Sequence, residues 1–304
     1  MTDQTALPSL PHTGACALPH LGVIRAAGPD AASFLHNQLT QDFLLLQPGQ
    51  ARLAAFCNAK GRMQASMVGF TAGPEEVLLV MRQDLLAQTL KRLSMFVLRA
   101  KVKLNDASAE LMVWGCLVPS ALPAWTLTTD AHCWEVSLYP AAGVNRRLRV
   151  GPASSVPSLP VLDMADWLLS EVLSGIADVQ AATFEAFVPQ MLNYESVDGV
   201  NFKKGCYPGQ EVVARSQFRG TLKRRSYLVS SSAALAAGEE VFSAADPAQP
   251  AGVVAQACHH PVQGHWALVC LQTSALEDSA GGLTTAQGAG LTLHPLPYAL
   301  RDDI

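Results

Sequence analysis

The sequence predicts an α+β protein made of two mixed lobes and a C-terminal small β-barrel. Three observations carry this reading. The chain has 304 residues, 49% apolar and 15% charged, enough for a sizeable core and too long for one ordinary module. Residues 21–104 read in the order strand, helix, three strands, helix, strand, which is a split βαβ, ferredoxin-like lobe with one strand added. After Arg225 short apolar runs recur between glycine and proline breaks, the pattern of an antiparallel sheet or small barrel.

Residues 1–14 have neither a basic start nor an apolar core, so they read as a flexible arm and not as a secretion signal. Residues 21–26 form a strand, and Asp30 can cap a helix that places Phe34, Leu35, Gln38 and Leu39 on one face. Residues 52–58 and 62–70 flank the short turn Ala59-Lys60-Gly61 and make a hairpin. Val77–Met81 is another strand. Asp84 can cap a helix with Leu86, Leu90 and Leu93 inward, and Lys101–Leu104 closes the lobe. Strand-rich segments follow between 111 and 150, then a Pro/Ser stretch at 151–160. Asp163 can cap a helix whose one face holds Met164, Trp167, Leu168, Glu171 and Val172. The boundaries read as 15–110 for the first lobe, 111–220 for the second and 221–304 for the barrel.

Charge and cysteine usage exclude several classes. The net charge is −4, which does not suit a general nucleic-acid coat or a polybasic membrane binder. No apolar run approaches the ~18 residues of a membrane span, so the chain reads as soluble. The seven cysteines are widely spaced with no C-x-x-C, the usage of a reducing compartment, here the cytoplasm. Cys258-His259-His260 with His265 fits no zinc spacing, and no metal site is expected. His36 and His294 read as surface or satisfied structural residues. Dinucleotide, P-loop, zincin and nucleophile-elbow motifs do not occur.

One segment stands apart. Residues 203–225 hold Lys203, Lys204, Arg215, Arg219, Lys223, Arg224 and Arg225 against the single acid Glu211, a local charge of +6 that leaves −10 for the rest of the chain. Such a span is either a solvated face or an anion site. Inside it lies Cys206, between Lys203-Lys204-Gly205 and Tyr207-Pro208-Gly209, just before helical spacing resumes at Gln210. Nearby cations and a helix start favour a thiolate, so the Cys206 thiol is expected below its free value of about 8.5. Trp167 and Glu171 share a helical face. They are either core residues or a pterin site, where the ring stacks and the carboxylate accepts N–H bonds.

The segment Lys204-Gly205-Cys206-Tyr207, with Gly209-Gln210-Glu211 and Val213-Ala214-Arg215, closely resembles the signature of the YgfZ family, folate-binding relatives of the glycine-cleavage T protein. FLHNQLTQDF at 34–43, NAKGRM at 58–63 and LHPLPYAL at 293–300 extend the likeness over nearly the whole chain. The resemblance implies T-protein-like folate-binding lobes around a central channel, closed by the C-terminal barrel. It implies tetrahydrofolate, or a one-carbon derivative, as cofactor. It implies an accessory role in assembly or repair of iron–sulfur clusters in client enzymes, including those that methylthiolate tRNA. Cys206 is then the working residue. Trp167, Glu171, Lys203, Lys204, Tyr207, Gln210, Glu211 and Arg215 are the expected binding residues. The expected partners are reduced folate and iron–sulfur client enzymes, with no stable direct nucleic-acid binding and no membrane. The alternative is a tetrahydrofolate-dependent aminomethyltransferase-like one-carbon enzyme. T proteins place paired acids after the first hairpin's glycine, where this chain has Arg62-Met63-Gln64-Ala65, and a glutamate at the position of Leu173. Those departures favour the accessory role over a conventional enzyme.

Overall fold

The computed structural model describes residues 7–130, 133–218, 222–277 and 282–301. Residues 1–6 of the arm, Arg219 of the basic span and the last three residues lie outside it. In chain order the elements are β1 (Gly14–Ala17), β2 (Leu21–Ala27), α1 (Ala31–His36), β3 (Ala51–Cys57), β4 (Met63–Gly73), β5 (Glu76–Arg82), α2 (Gln83–Ser94) and β6 (Lys103–Asp106). They continue with β7 (Leu111–Val118), β8 (Leu127–Asp130), β9 (Cys133–Ser137), β10 (Asn145–Pro152), α3 (Met164–Leu173) and α4 (Gln210–Phe218). Last come β11 (Arg224–Ser231), β12 (Glu240–Ser243), β13 (Asp246–His260), β14 (Gly264–Gln272), α5 (Ser274–Glu277), β15 (Leu283–Thr285) and β16 (Gly290–His294).

Three sheets result. The first has the order β3-β4-β5-β2-β6, the second β1-β7-β10-β9-β8, and the third is a closed barrel, β11-β14-β13-β12-β15-β16. The paired strands are all antiparallel. This is the α+β architecture with a terminal barrel that the sequence predicts. One strand joins a different neighbour from its place in the chain. Residues 14–17 precede the first sheet in sequence, yet pair with β7 of the second, Gly14 opposite Leu117.

Strand β3 is an edge whose residues are nearly all buried. Its free backbone groups are taken up from outside the sheet. Thr40 N–H donates to the Ala55 carbonyl at 3.0 Å, Ala55 N–H donates to Thr40 Oγ1 at 2.8 Å, and Ala51 N–H donates to the Trp125 carbonyl at 2.8 Å. A covered edge cannot pair with another chain, and the cover welds the first sheet to the second lobe.

Helix α3 starts where the sequence places it. The Asp163 carboxylate accepts from Ala165 N–H at 2.8 Å, a cap worth about 1 kcal/mol. The caps read at Asp30 and Asp84 do not form. Asp30 instead accepts from Lys101 N–H at 2.6 Å, and Asp84 sits in the first turn of α2, where it accepts from Ala181 N–H at 3.0 Å. Both carboxylates serve tertiary contacts because the chain brings a remote N–H to each. Helix α3 packs against β13 and β14 of the barrel. A buried pair, Arg225 with Glu195 at 2.7 Å, fixes the start of β11 to the preceding turn.

Candidate functional site

The Cys206 loop leads from the turns after α3 into α4. Gly209 sits at φ +82°, and a Cβ there would lie 2.4 Å from the Asn58 carbonyl and 2.7 Å from Gly61 of the β3–β4 turn. Only glycine satisfies both the backbone and the space. The loop is therefore docked on the first hairpin, backbone against backbone. Tyr207 is buried, and Lys204 Nζ lies 4.5 Å from its ring centroid. Lys204 Nζ donates to the Leu39 carbonyl at 3.1 Å and to the Gly205 carbonyl at 3.3 Å. Burial brings its amine down to about 8, opposed by the charges of Asp42 and Cys206. Gln210 Nε2 donates back to the Lys204 carbonyl at 3.4 Å. These three residues are the frame of the loop.

Of the seven cysteines Cys206 is the exposed one. Burial pushes the thiols of Cys16, Cys57, Cys116, Cys258 and Cys270 up to about 12. At neutral pH those five are small apolar residues.

The expected anion site at Lys203, Lys204 and Arg215 does not converge. Lys203 is exposed, Lys204 is turned inward, and Arg215 is paired with Glu211 at 2.7 Å on the open face of α4. Adjacent lysines on an irregular loop point in different directions, so sequence proximity did not make a cradle. Arg225, counted in the same basic span, is buried against Glu195.

A second site lies between the first two sheets. A cavity of about 60 Å³ is lined by Leu21 and Val68 of the first sheet, Arg146 of the second, Trp167 and Glu171 of α3, and Asp178 beyond it. Trp167 is fully buried. Its ring packs so closely on Gly115 of β7 that a Cβ there would lie 2.4 Å from it, and the Arg146 guanidinium sits 4.7 Å from the ring centroid. The indole is thus held as a wall of the cavity and not as a free stacking platform. Glu171 gathers its neighbours: Trp167 Nε1 donates to Oε1 at 2.8 Å, His20 Nε2 lies 3.2 Å from the same oxygen, and Gln256 Nε2 of β13 donates to Oε2 at 3.3 Å. Burial alone would raise its carboxyl, but His20, Arg146 and Trp167 together hold it below the usual carboxylate range. Burial also lowers the Arg146 guanidinium to about 10.

Asp178 behaves the opposite way. Burial and the charge of Glu171 raise its carboxyl to about 6, with Arg82, His20 and Ser66 pulling against them. Its one side-chain donor is Ser66 Oγ at 3.4 Å, so it keeps acceptor capacity toward the cavity. None of residues 203–215 lines this cavity. The expected site residues therefore fall into two groups: Trp167 and Glu171 at the cavity, and Lys204, Tyr207 and Gln210 around Cys206.

The comparisons with known proteins agree with this architecture. No protein-family model matches the chain. The chain is 29% identical over 306 residues to the "tRNA-modifying protein YgfZ" of Photorhabdus laumondii, covering 94% of this chain and 93% of that one. It is 29% identical to the protein of the same name from Vibrio vulnificus, covering 99% and 96%. Over nearly its full length the chain is thus similar to proteins named YgfZ. In fold the protein is similar to the glycine cleavage system aminomethyltransferase T of Bartonella henselae, with a TM-score of 0.66 at 16% identity over 95% of this chain and 86% of that one.

Two further acid-linked residues lie near these groups and carry no sequence signal of a role. Asp178 lies on an irregular segment three residues past the helix-ending Gly175, where no periodicity marks a face. His36, read as a surface or satisfied structural residue, is buried with Nδ1 3.0 Å from Asp42 Oδ1. Among the other described histidines, His260 lies 3.1 Å from Asp166, His294 lies 2.8 Å from Ser230, and the His259 and His265 rings are 4.4 Å apart.

Proposed function

We propose that this protein is a folate-binding accessory factor that uses the Cys206 thiol to support assembly or repair of iron–sulfur clusters in client enzymes, among them those that methylthiolate tRNA. The observation that carries the reading is the exposure of Cys206 on a loop whose frame is rigidly docked, while five other thiols are pushed out of reach of ionisation. A thiolate is the form that ligates iron or reacts with sulfur. Among its described residues the basic span forms no continuous strip for RNA, because Lys204 and Arg225 are turned inward and Arg215 is paired. A protein client therefore suits the surface better than tRNA itself.

Tetrahydrofolate fits the cavity by chemistry. Asp178 supplies a free acceptor for ring N–H groups, Glu171 a second carboxylate, and Trp167, Trp125 and Tyr139 an aromatic lining. Its volume of about 60 Å³ holds roughly four waters, so side chains at its mouth must move outward to admit a bicyclic ring. When bound, the folate supplies a one-carbon carrier. The chain's own part is to hold the ring between two sheets and exclude water from it.

The test is a deletion strain complemented with the wild type or with Cys206→Ala, with methylthio-tRNA as the readout. The variant should fold and melt like the wild type, because an exposed loop thiol contributes little packing, and should fail to restore the modification. Full restoration by Cys206→Ala overturns the reading.

A further inference from the structure

His36 ends α1 with its side chain nine-tenths buried. Its Nδ1 lies 3.0 Å from Asp42 Oδ1, which also accepts from Leu45 N–H at 3.0 Å. Burial would raise the Asp42 carboxyl, but the N–H groups of Leu45 and Leu44 and the His36 ring together hold it below the usual carboxylate range. An ionised carboxylate only accepts, so Nδ1 carries the hydrogen, and in the neutral ring Nε2 is the nitrogen with the lone pair. That Nε2 has no hydrogen-bond partner among the described residues. It lies 3.4 Å from the point where a Cβ on Gly205 would stand, so it faces the loop one residue before Cys206. The ring uses one nitrogen, and aims the other at the thiol-bearing loop through the gap that a glycine leaves.

We propose that His36 is the proton acceptor for Cys206, with Asp42 as the positioning residue. The Cys206 S–H proton passes to His36 Nε2, leaving a thiolate beside an imidazolium. Asp42 fixes the ring and balances the new positive charge. No electrons change hands and no further reactant is needed. The inference rests on the reading of Cys206 as the functional thiol and deepens it, because it supplies the base that a thiol needs to ionise on demand. Asp42 touches the imidazole, and the charges of Asp42 and Cys206 both act on the Lys204 amine of the same loop.

The test is the alkylation rate of Cys206 by iodoacetamide, read by peptide mass spectrometry from about pH 5 to about pH 9 in the wild type, His36→Gln and Asp42→Asn. In this reaction the thiolate sulfur bonds to carbon and iodide leaves. Rates are compared below about pH 7.5, where the Lys204 amine, at about 8, stays mostly charged, and midpoints over the whole range. The wild type should alkylate well below the ordinary thiol midpoint of about 8.5. His36→Gln should react roughly tenfold more slowly at neutral pH, with its midpoint moved up by about one unit. Asp42→Asn should shift in the same direction. Rates and midpoints unchanged within about twofold in His36→Gln overturn the relay. Cys57 and Cys270 must stay unlabelled in a folded variant. Should a variant unfold, the wild-type profile decides alone: a single step at about 8.5 overturns the relay. Complementation by Cys206→Ala would sink the functional thiol and leave these profiles standing. A flat result in His36→Gln would sink the relay and leave the functional thiol standing.

Discussion

Replacing Asp178 by asparagine tests whether the cavity holds an acid at odds with its surroundings. The folded protein raises this carboxyl from 3.8 to about 6, through burial first and the charge of Glu171 second. The unfolded chain releases the proton near 3.8, so the folded state binds it more tightly. The stabilisation it brings is complete below about pH 4 and is lost as pH rises through about 6. A shift of about two units corresponds to ~3 kcal/mol, and because Asp178 keeps some contact with water this is an upper limit. Asparagine neither titrates nor carries charge. Equilibrium urea unfolding of both proteins from about pH 4 to about pH 8 should show the wild type losing ~1–3 kcal/mol relative to Asp178→Asn across that window. A difference that stays constant within ~0.5 kcal/mol refutes the reasoning. A trend of the opposite sign would mean that Arg82 and His20 prevail and that Asp178 is an ordinary ion-paired acid.

Two further outcomes follow from close contacts. Gly209→Ala places a Cβ 2.4 Å from the Asn58 carbonyl at a φ of +82°. A left-handed alanine alone costs about 1–2 kcal/mol, and the backbone clash adds to it, so the loop should undock. Thermal melting should fall by several degrees, and limited proteolysis should cut near residue 206; an unchanged melt and digest would count against the docking. Trp167→Phe keeps an aromatic ring but removes the 2.8 Å donor to Glu171. It should destabilise the fold by ~2 kcal/mol and weaken tetrahydrofolate binding roughly tenfold in calorimetric titration. Unaltered affinity would remove Trp167 from the site.

Much of the fold could be read before the structure, and the reasons differ by element. The barrel announces itself through short apolar runs between breaks, and α3 through a true capping aspartate and a periodic face. Strand β1 could not be assigned to its sheet, because four residues carry no signal for a partner about 100 residues away. At the candidate site, the docking glycine beside Gln210 was legible because no other residue type fits that position, and Cys206 stood out by its neighbours and is exposed. The lysine pair was misleading, since charge counting assumes exposure and Lys204 Nζ is spent on the Leu39 carbonyl. Asp178 and His36 were silent for the same reason: their surroundings are set by partners that no periodicity marks, Glu171 and Ser66 for Asp178, Asp42 and the Gly205 gap for His36.

The two groups of site residues are joined by one strand. At its start the β3–β4 turn receives the Cys206 loop, with Gly61 against Gly209 and Val212. Further along β4, Ser66 donates to Asp178 at 3.4 Å and accepts from Val179 N–H at 2.9 Å, and Val68 lines the cavity. From Gly61 to Ser66 an extended strand covers about 17 Å. A ring held at Asp178 therefore does not touch the Cys206 loop where it docks on Gly61. Direct transfer of a one-carbon unit from that ring to the thiol is disfavoured by this separation. What the strand provides is a fixed distance between a ligand cavity and a thiol presented to the outside. Under the proposed function, a ligand in the cavity would then act on the protein's state and the cysteine on a partner.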